Sequence, residues 1–406
     1  MSISWGALAL VATLHLAPAA APAAAGAITL VDVAADGTPG DGDNLDWDIS
    51  DNGRYVTFVS ASANLVAGDT NGAYDVFVRD LDAGTTTLVS GGPNGRPADG
   101  PAQDTVISGN GRYVAFTSSA SNLVAGDTNG RRDVFVHDRR TGVTSRASVG
   151  TGNVQFDGIQ IGPSLSDNGR YVTFVKSDFQ HGNGQEVYLR DLTTGVTRQV
   201  SVPNGDGAPA AFEAAISGDG RWATFSGTGD YAGDGGSASA VYLTDLTSGA
   251  TTRVSPQSSG TAPVDASGPT IDRTGAKVLY AVNAAMTNLH LYDAATGATT
   301  LVSANRAGTG AGNADTFAGA LSADGRFAAF GSSASDLVRN DPNGNVSDVF
   351  VRNLSSERTI LVAGGNGSSG RGVPSGNGSR VLFSSEATDL GADPGDGRPH
   401  LFVSTR

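Results

Sequence analysis

Apolar residues in this chain come in short bursts, not helical stripes. YVTFV (55–59), YVAF (113–116), YVTFV (171–175), WATF (222–225), KVLY (277–280), FAAF (327–330) and RVLF (380–383) each run four or five residues behind a glycine-containing turn such as DNGR (51–54). The turn glycines Gly53, Gly111, Gly169, Gly220, Gly275, Gly325 and Gly378 recur every 50 to 58 residues. A second phrase closes most units: DVFVRDLDAGTTTLVS (75–90), DVFVHDRRTGVTSRAS (133–148), EVYLRDLTTGVTRQVS (186–201), AVYLTDLTSGATTRVS (240–255), NLHLYDAATGATTLVS (288–303) and DVFVRNLSSERTILVA (348–363). Short β-branched and aromatic runs punctuated by Asp and Gly turns are strands joined by hairpins. With a run such as LDWDIS (45–50) ahead of each unit, the count is four strands per repeat. Runs apolar on both faces belong to sheets packed between two others. A repeat slightly longer than a propeller blade, without helical periodicity, predicts an all-β, seven-bladed β-propeller of four-stranded blades.

The two chain ends support a ring. The last unit stops at HLFVSTR (400–406) and lacks the outer strand, whereas ITLVDVA (28–34) near the start is similar to TTLVSGG. A strand at 28–34 completing the last blade removes the unpaired edges of an open array. Residues 1–25 read as a signal peptide, with the apolar stretch WGALALVATLHL ahead of the small residues APAAAPAAAG. The expectation is a single propeller domain over 26–406, secreted or periplasmic after cleavage.

Composition narrows the partner. The 57 glycines are about twice the usual share, as a turn-rich chain needs. The net charge of −14 argues against nucleic acid and anionic lipid. No cysteine is present, which excludes a disulfide scaffold and thiol chemistry.

The Asp/Gly-Asn/Asp-Gly-Arg turn, the apolar strand, then Asp-Val-Phe-Val and the Asp-Leu-x-x-Gly turn together resemble the TolB-like, WD-type propeller repeats of exported bacterial proteins. The resemblance spans residues 28–406. It implies the propeller fold and leaves activity open, because such repeats serve in assembly proteins, sugar-degrading enzymes and peptidase gating domains.

Turns after the first and third strands of a unit are tight, whereas connections after the second and fourth are long and rich in Asp. Long loops on a rigid scaffold are where binding residues gather, so a ligand is expected on that one face. Three of those loops share oxygen side chains at alternate positions: Asp69, Asn71 and Asp75; Asp127, Asn129 and Asp133; Asp341, Asn343 and Asp348. That pattern resembles the first half of a calcium loop, against Asx-turns that need no metal. The recurring Arg54, Arg112, Arg170, Arg221 and Arg326 are expected to pair with rim aspartates. The histidines occupy unrelated repeat positions; His181, in a divergent loop, is the one that could face the channel, against the plainer reading of a solvated loop residue. Tyr231 is the loop aromatic left open for stacking on a sugar. The expectation is a monomeric, non-catalytic scaffold binding a protein or glycan, with a polysaccharide lyase or glycoside hydrolase as the alternative.

Overall fold

The computed structural model describes residues 26–178, 183–205, 210–235, 239–256 and 265–406. The leader assigned to 1–25 and His181 lie outside them. Among the described residues are seven four-stranded antiparallel sheets and a single 3-10 turn, Pro93–Gly95. Blade 1 runs from inside outward as Asn44–Ile49, Tyr55–Ser60, Asp75–Asp80 and Thr85–Leu88, and blades 2 to 6 repeat that order. The second and third strands carry the core. Stacked rings at their centres, Phe58 on Phe77, Phe116 on Phe135, Phe330 on Phe350 and Phe383 on Phe402, sit 5.7 to 6.0 Å apart. Such strands show no alternation because both faces meet a neighbouring blade.

Blade 7 is built from both ends of the chain. Val373–Pro374, Arg380–Ser385 and His400–Thr405 are followed outward by Ile28–Leu30, registered as Ile28 to Ser404 and Leu30 to Phe402. The closing strand is shorter than the expected 28–34. Val31 still donates its N–H to Leu401 O, but beyond it Val33 turns to bridge Pro39.

The junction has its own lock. In blades 1 and 2 a serine at the end of the outer strand donates to the first residue of the third strand, Ser90 to Asp75 at 2.6 Å and Ser148 to Asp133 at 2.6 Å. In blade 7 the two roles are exchanged. His400 holds the third-strand position and Asp32 the outer one, with Nδ1 to Oδ2 at 2.9 Å; Asp32 also accepts the Leu401 N–H and the Asn44 amide. Burial opposes charge on His400, but Asp32 and Asp396 outweigh it and hold its pKa up at about 9.

A second device ties each blade to the next. The residue that opens each second strand lies under the turn glycine of the following blade. A Cβ on Gly111 would fall 2.2 Å from Tyr55, one on Gly169 2.0 Å from Tyr113 and one on Gly275 2.3 Å from Trp222. Where the aromatic is replaced, Lys277 donates to Gly325 O and Arg380 to Gly53 O, both at 2.7 Å. Arg380 thus joins blade 7 to blade 1, and the contact runs round the ring.

Candidate functional site: the channel and its long-loop face

The inner strand of a blade pairs on one edge only, so its other edge presents N–H groups that need acceptors. Six of the seven inner strands carry a bulge, for example between Asn44 and Asp46 or between Phe212 and Ala214. At or next to the bulges, in ring order, stand Asp46, Asp104, Gly162, Glu213, Gly268 and Ala318, with Arg371 at the matching place in blade 7. Glu213 takes a positive φ of 54° where blades 3 and 5 use glycine. Its carboxylate accepts the Gly268 N–H at 2.7 Å and the Ser226 hydroxyl at 2.9 Å. Asp46 accepts the Thr105 N–H at 2.9 Å and Asp48 the Ile107 N–H at 2.9 Å, while Asp104 accepts the Gly162 N–H of blade 3 at 3.3 Å and the Thr117 hydroxyl of its own blade. These carboxylates are blade-to-blade staples. Arg371 donates to Asp46 at 2.8 Å and so links blade 7 to blade 1.

Burial pushes the Asp48 carboxyl up to about 6, against the Ile107 hydrogen bond and the nearby Arg371. Asp46 is raised for the same first reason. Two channel carboxyls with an arginine beside them are the chemistry-bearing group that sequence reading missed. The only trace in the sequence is the DWD of LDWDIS, which reads equally well as a polar strand face.

The channel has unlike mouths. On the tight-turn face, neighbouring turns hydrogen-bond through their backbones: Asp51 N to Gly109 O, Asp167 N to Gly218 O, Asp219 N to Arg273 O, Arg273 N to Ala323 O, Asp324 N to Gly376 O and Gly376 N to Asp51 O. Across that ring Arg273 of blade 5 pairs with Asp51 of blade 1 and, at 2.5 Å, with Asp167 of blade 3. Burial and the Asp167 charge raise the Asp51 pKa, against Arg273. The long connections lie at the other mouth.

The recurring arginines behave as expected. Arg54 and Arg112 reach Asp80 and Asp138 at 2.7 and 2.6 Å, Arg170 and Arg221 reach Asp191 and Asp245 at 2.7 and 3.2 Å, and Arg326 pairs with Asp324 at 2.7 Å. Each lies beside the aromatic that follows it, as Arg112 does over Tyr113 at 4.6 Å. Tyr231 departs from expectation. It is 5% exposed and packs edge-on against Phe225 and Tyr242, both 5.1 Å away, so it is core and not a stacking platform. His137 bonds Thr144, His290 stacks on Tyr280, and His400 is the closure lock. The three lie in different blades.

The three Asp/Asn loops are each brought together. Asn71 donates to Asp75 at 2.8 Å, Asn129 to Asp133 at 3.0 Å and Asn343 to Asp348 at 3.0 Å. The same amide also ties each loop to the next blade connection, at Ala98 O, Phe156 O and Gly365 O. Asp69 and Asp127 are raised in pKa, first by burial and next by Asp75 and Asp133 respectively. In blade 2 the Arg146 guanidinium enters the pair, 3.0 Å from Asp127 and 3.6 Å from Asp133. Among the described residues no cluster of three or more His, Cys, Asp or Glu is placed to hold a metal, and no helix is long and apolar enough to cross a membrane.

No protein-family model matches the sequence, and no curated protein matches it. Solved structures do match in shape. An oligogalacturonate lyase in complex with manganese is 12% identical over 91% of each chain, with a TM-score of 0.56. An oligogalacturonate lyase from Vibrio parahaemolyticus is 13% identical over 94% of this chain and 98% of its own, also at 0.56. The β-propeller domain of the Trilobed protease from Pyrococcus furiosus, described as having an open velcro topology, is 11% identical over 90% of this chain and 94% of its own, at 0.56. At these identities the likeness is one of fold: the chain is a seven-bladed β-propeller closed by its N-terminal strand.

Proposed function

We propose that the protein is an exported, non-catalytic binding scaffold, acting as a monomer, that recognises a protein or glycan through its long-loop face. The observation that carries this reading is the asymmetry of the channel: Arg273, Asp51 and Asp167 span one mouth, and the long Asp-rich connections ring the other. The bulge-ring carboxylates already accept backbone N–H groups of neighbouring blades, which gives them structural employment. The TolB-like wording of the repeats and the signal-peptide pattern of 1–25 support export, and the net charge of −14 disfavours nucleic acid.

The test is capture of extracellular polymers and envelope proteins on immobilised protein, followed by product analysis. Binding without product, weakened by substitutions in the long loops and unaffected by Arg54→Ala on the opposite face, is the expected result. Release of unsaturated or reducing sugar overturns it.

One observation favours the alternative, a polysaccharide lyase or glycoside hydrolase. Asp48, with a pKa near 6 beside Asp46 and Arg371, has the poise of a general acid or base. Under that reading Asp48→Asn abolishes product formation. Under the scaffold reading it leaves binding intact.

A further inference from the structure

The three Asp/Asn loops share a frame but differ in how their buried charge is answered. In blades 1 and 2 the third-strand aspartate receives an outer-strand serine, Ser90 or Ser148, and the loop asparagine Oδ1 accepts a backbone N–H, from Ala73 or Arg131, at 3.0 Å. Blade 2 adds a cation of its own in Arg146, which sits opposite Phe135 in the strand register. Blade 6 has lost each of these partners. Ala363 stands where the serine would be, and Leu361, opposite Phe350, stands where Arg146 does.

Blade 6 also has the longer loop, NDPNGNVSD (340–348), so Asn343 Oδ1 accepts no backbone N–H. Asp348 is 0% exposed, and its Oδ2 is buried without a partner, as is Asn343 Oδ1. Asp341 completes the group, accepting the Asn343 and Gly344 N–H groups at 3.3 and 3.0 Å. Among the described residues neither aspartate forms an ion pair. Burial first, and then the Asp341 charge and contact, push Asp348 up to about 7, against the Asn343 bond. A buried carboxylate with an orphan oxygen and no cation is costly unless something positive or a proton joins it.

We infer that blade 6 holds a calcium-class divalent cation between Asp348 Oδ2, Asn343 Oδ1 and Asp341, in the place that the Arg146 guanidinium takes in blade 2. The donors are hard oxygens, two of them carboxylate, as this ion prefers, and loop carbonyls and water complete its six to eight ligands. Asn345 and Val346 of the same loop are exposed, so the ion has a short path from solvent. The cation locks this loop to the connection at Gly365. The site is independent of which polymer the long-loop face binds.

The test is calorimetric titration of calcium chloride into purified, chelator-stripped protein, with thermal unfolding in parallel. The expected result is one equivalent bound, with Kd on the order of 10⁻⁴–10⁻³ M, the range of extracellular modules. At 10 mM calcium the melting temperature should rise by about 1–3 °C. Asp348→Asn should abolish both signals. Leu361→Arg, which installs the guanidinium of blade 2, should abolish them while keeping the chelated protein at least as stable as the parent. Asp127→Asn in blade 2 should leave calcium binding unchanged. The inference is overturned by no binding heat and no melting shift at 10 mM calcium, or by calcium binding that survives Leu361→Arg or is lost with Asp127→Asn.

Discussion

At the scale of single residues, the turn glycines separate two effects that sequence alone merges. Gly169 and Gly142 both need a left-handed backbone, at φ 69° and 70°. Only Gly169 lies against a neighbour, the Tyr113 ring, whereas nothing stands within 4 Å of a Cβ at Gly142. Gly142→Ala is therefore expected to cost about 1 kcal/mol of backbone strain. Gly169→Ala should cost about 2 kcal/mol or more, because a ring between two blades must also move. Denaturant midpoints of the two variants check this, and equal losses would show that the inter-blade stack contributes nothing. Asp48 makes a second residue-scale case. Its folded pKa, about 6, lies above the ordinary aspartate value of 3.8, so protonation favours folding and stability declines as pH rises from about 4 through 6. Asp48→Asn keeps an oxygen for the Ile107 N–H and removes the buried charge. The variant should be no less stable than the parent at pH 7.5, and its stability should vary less between pH 4 and 6. The turn glycines were legible because a repeat makes their spacing visible. Asp48 was not, since a polar residue in an inner strand looks alike whether it faces solvent or staples a neighbour.

At the scale of elements, the closing strand carries the most specific expectation. A linear array needs only caps, but a ring whose last unit stops at HLFVSTR needs an outer strand from elsewhere, and ITLVDVA, similar to the outer-strand phrase TTLVSGG, supplied it. The exchange of Asp and Ser for His400 and Asp32 could not be seen until the register placed them together. The His400 pKa, about 9 in the folded chain, is raised above the ordinary 6.5. Its contribution is therefore fully present below about pH 6.5 and is lost as pH rises through 9, a loss on the order of 1–3 kcal/mol. Urea midpoints measured from pH 6 to 10 should fall over that window, and His400→Gln should flatten the fall. An unchanged slope in the variant would remove the lock from the account of closure. The same scale explains Tyr231. Its loop position suggested an open aromatic, but the connection folds back over blade 4, and burying a large ring against Phe225 and Tyr242 is favourable wherever the backbone allows it.

At the scale of the whole molecule, the ring has one mouth spanned by an ion-paired arginine and one ringed by long loops. Arg273 is half exposed, so its pairs with Asp51 and Asp167 contribute little to stability, at most about 1 kcal/mol, screened by salt. Under the proposed function its consequence is for access: binding of the protein or glycan should survive Arg273→Ala and fail when the long loops are altered. The amino-acid sequence by itself determined the blade, its number, its strand order and its circular closure, because each rests on local hydrophobic period and turn chemistry repeated along the chain. Tertiary structure decided everything that depends on which blade meets which. Arg273 reaches residues 106 and 222 positions away, Arg371 meets Asp46 across the seam, and blade 6 alone among the three similar loops lacks both a serine and an arginine at its buried aspartate. Charges are answered through space, and a repeat that writes the same phrase in each blade does not say what stands opposite it.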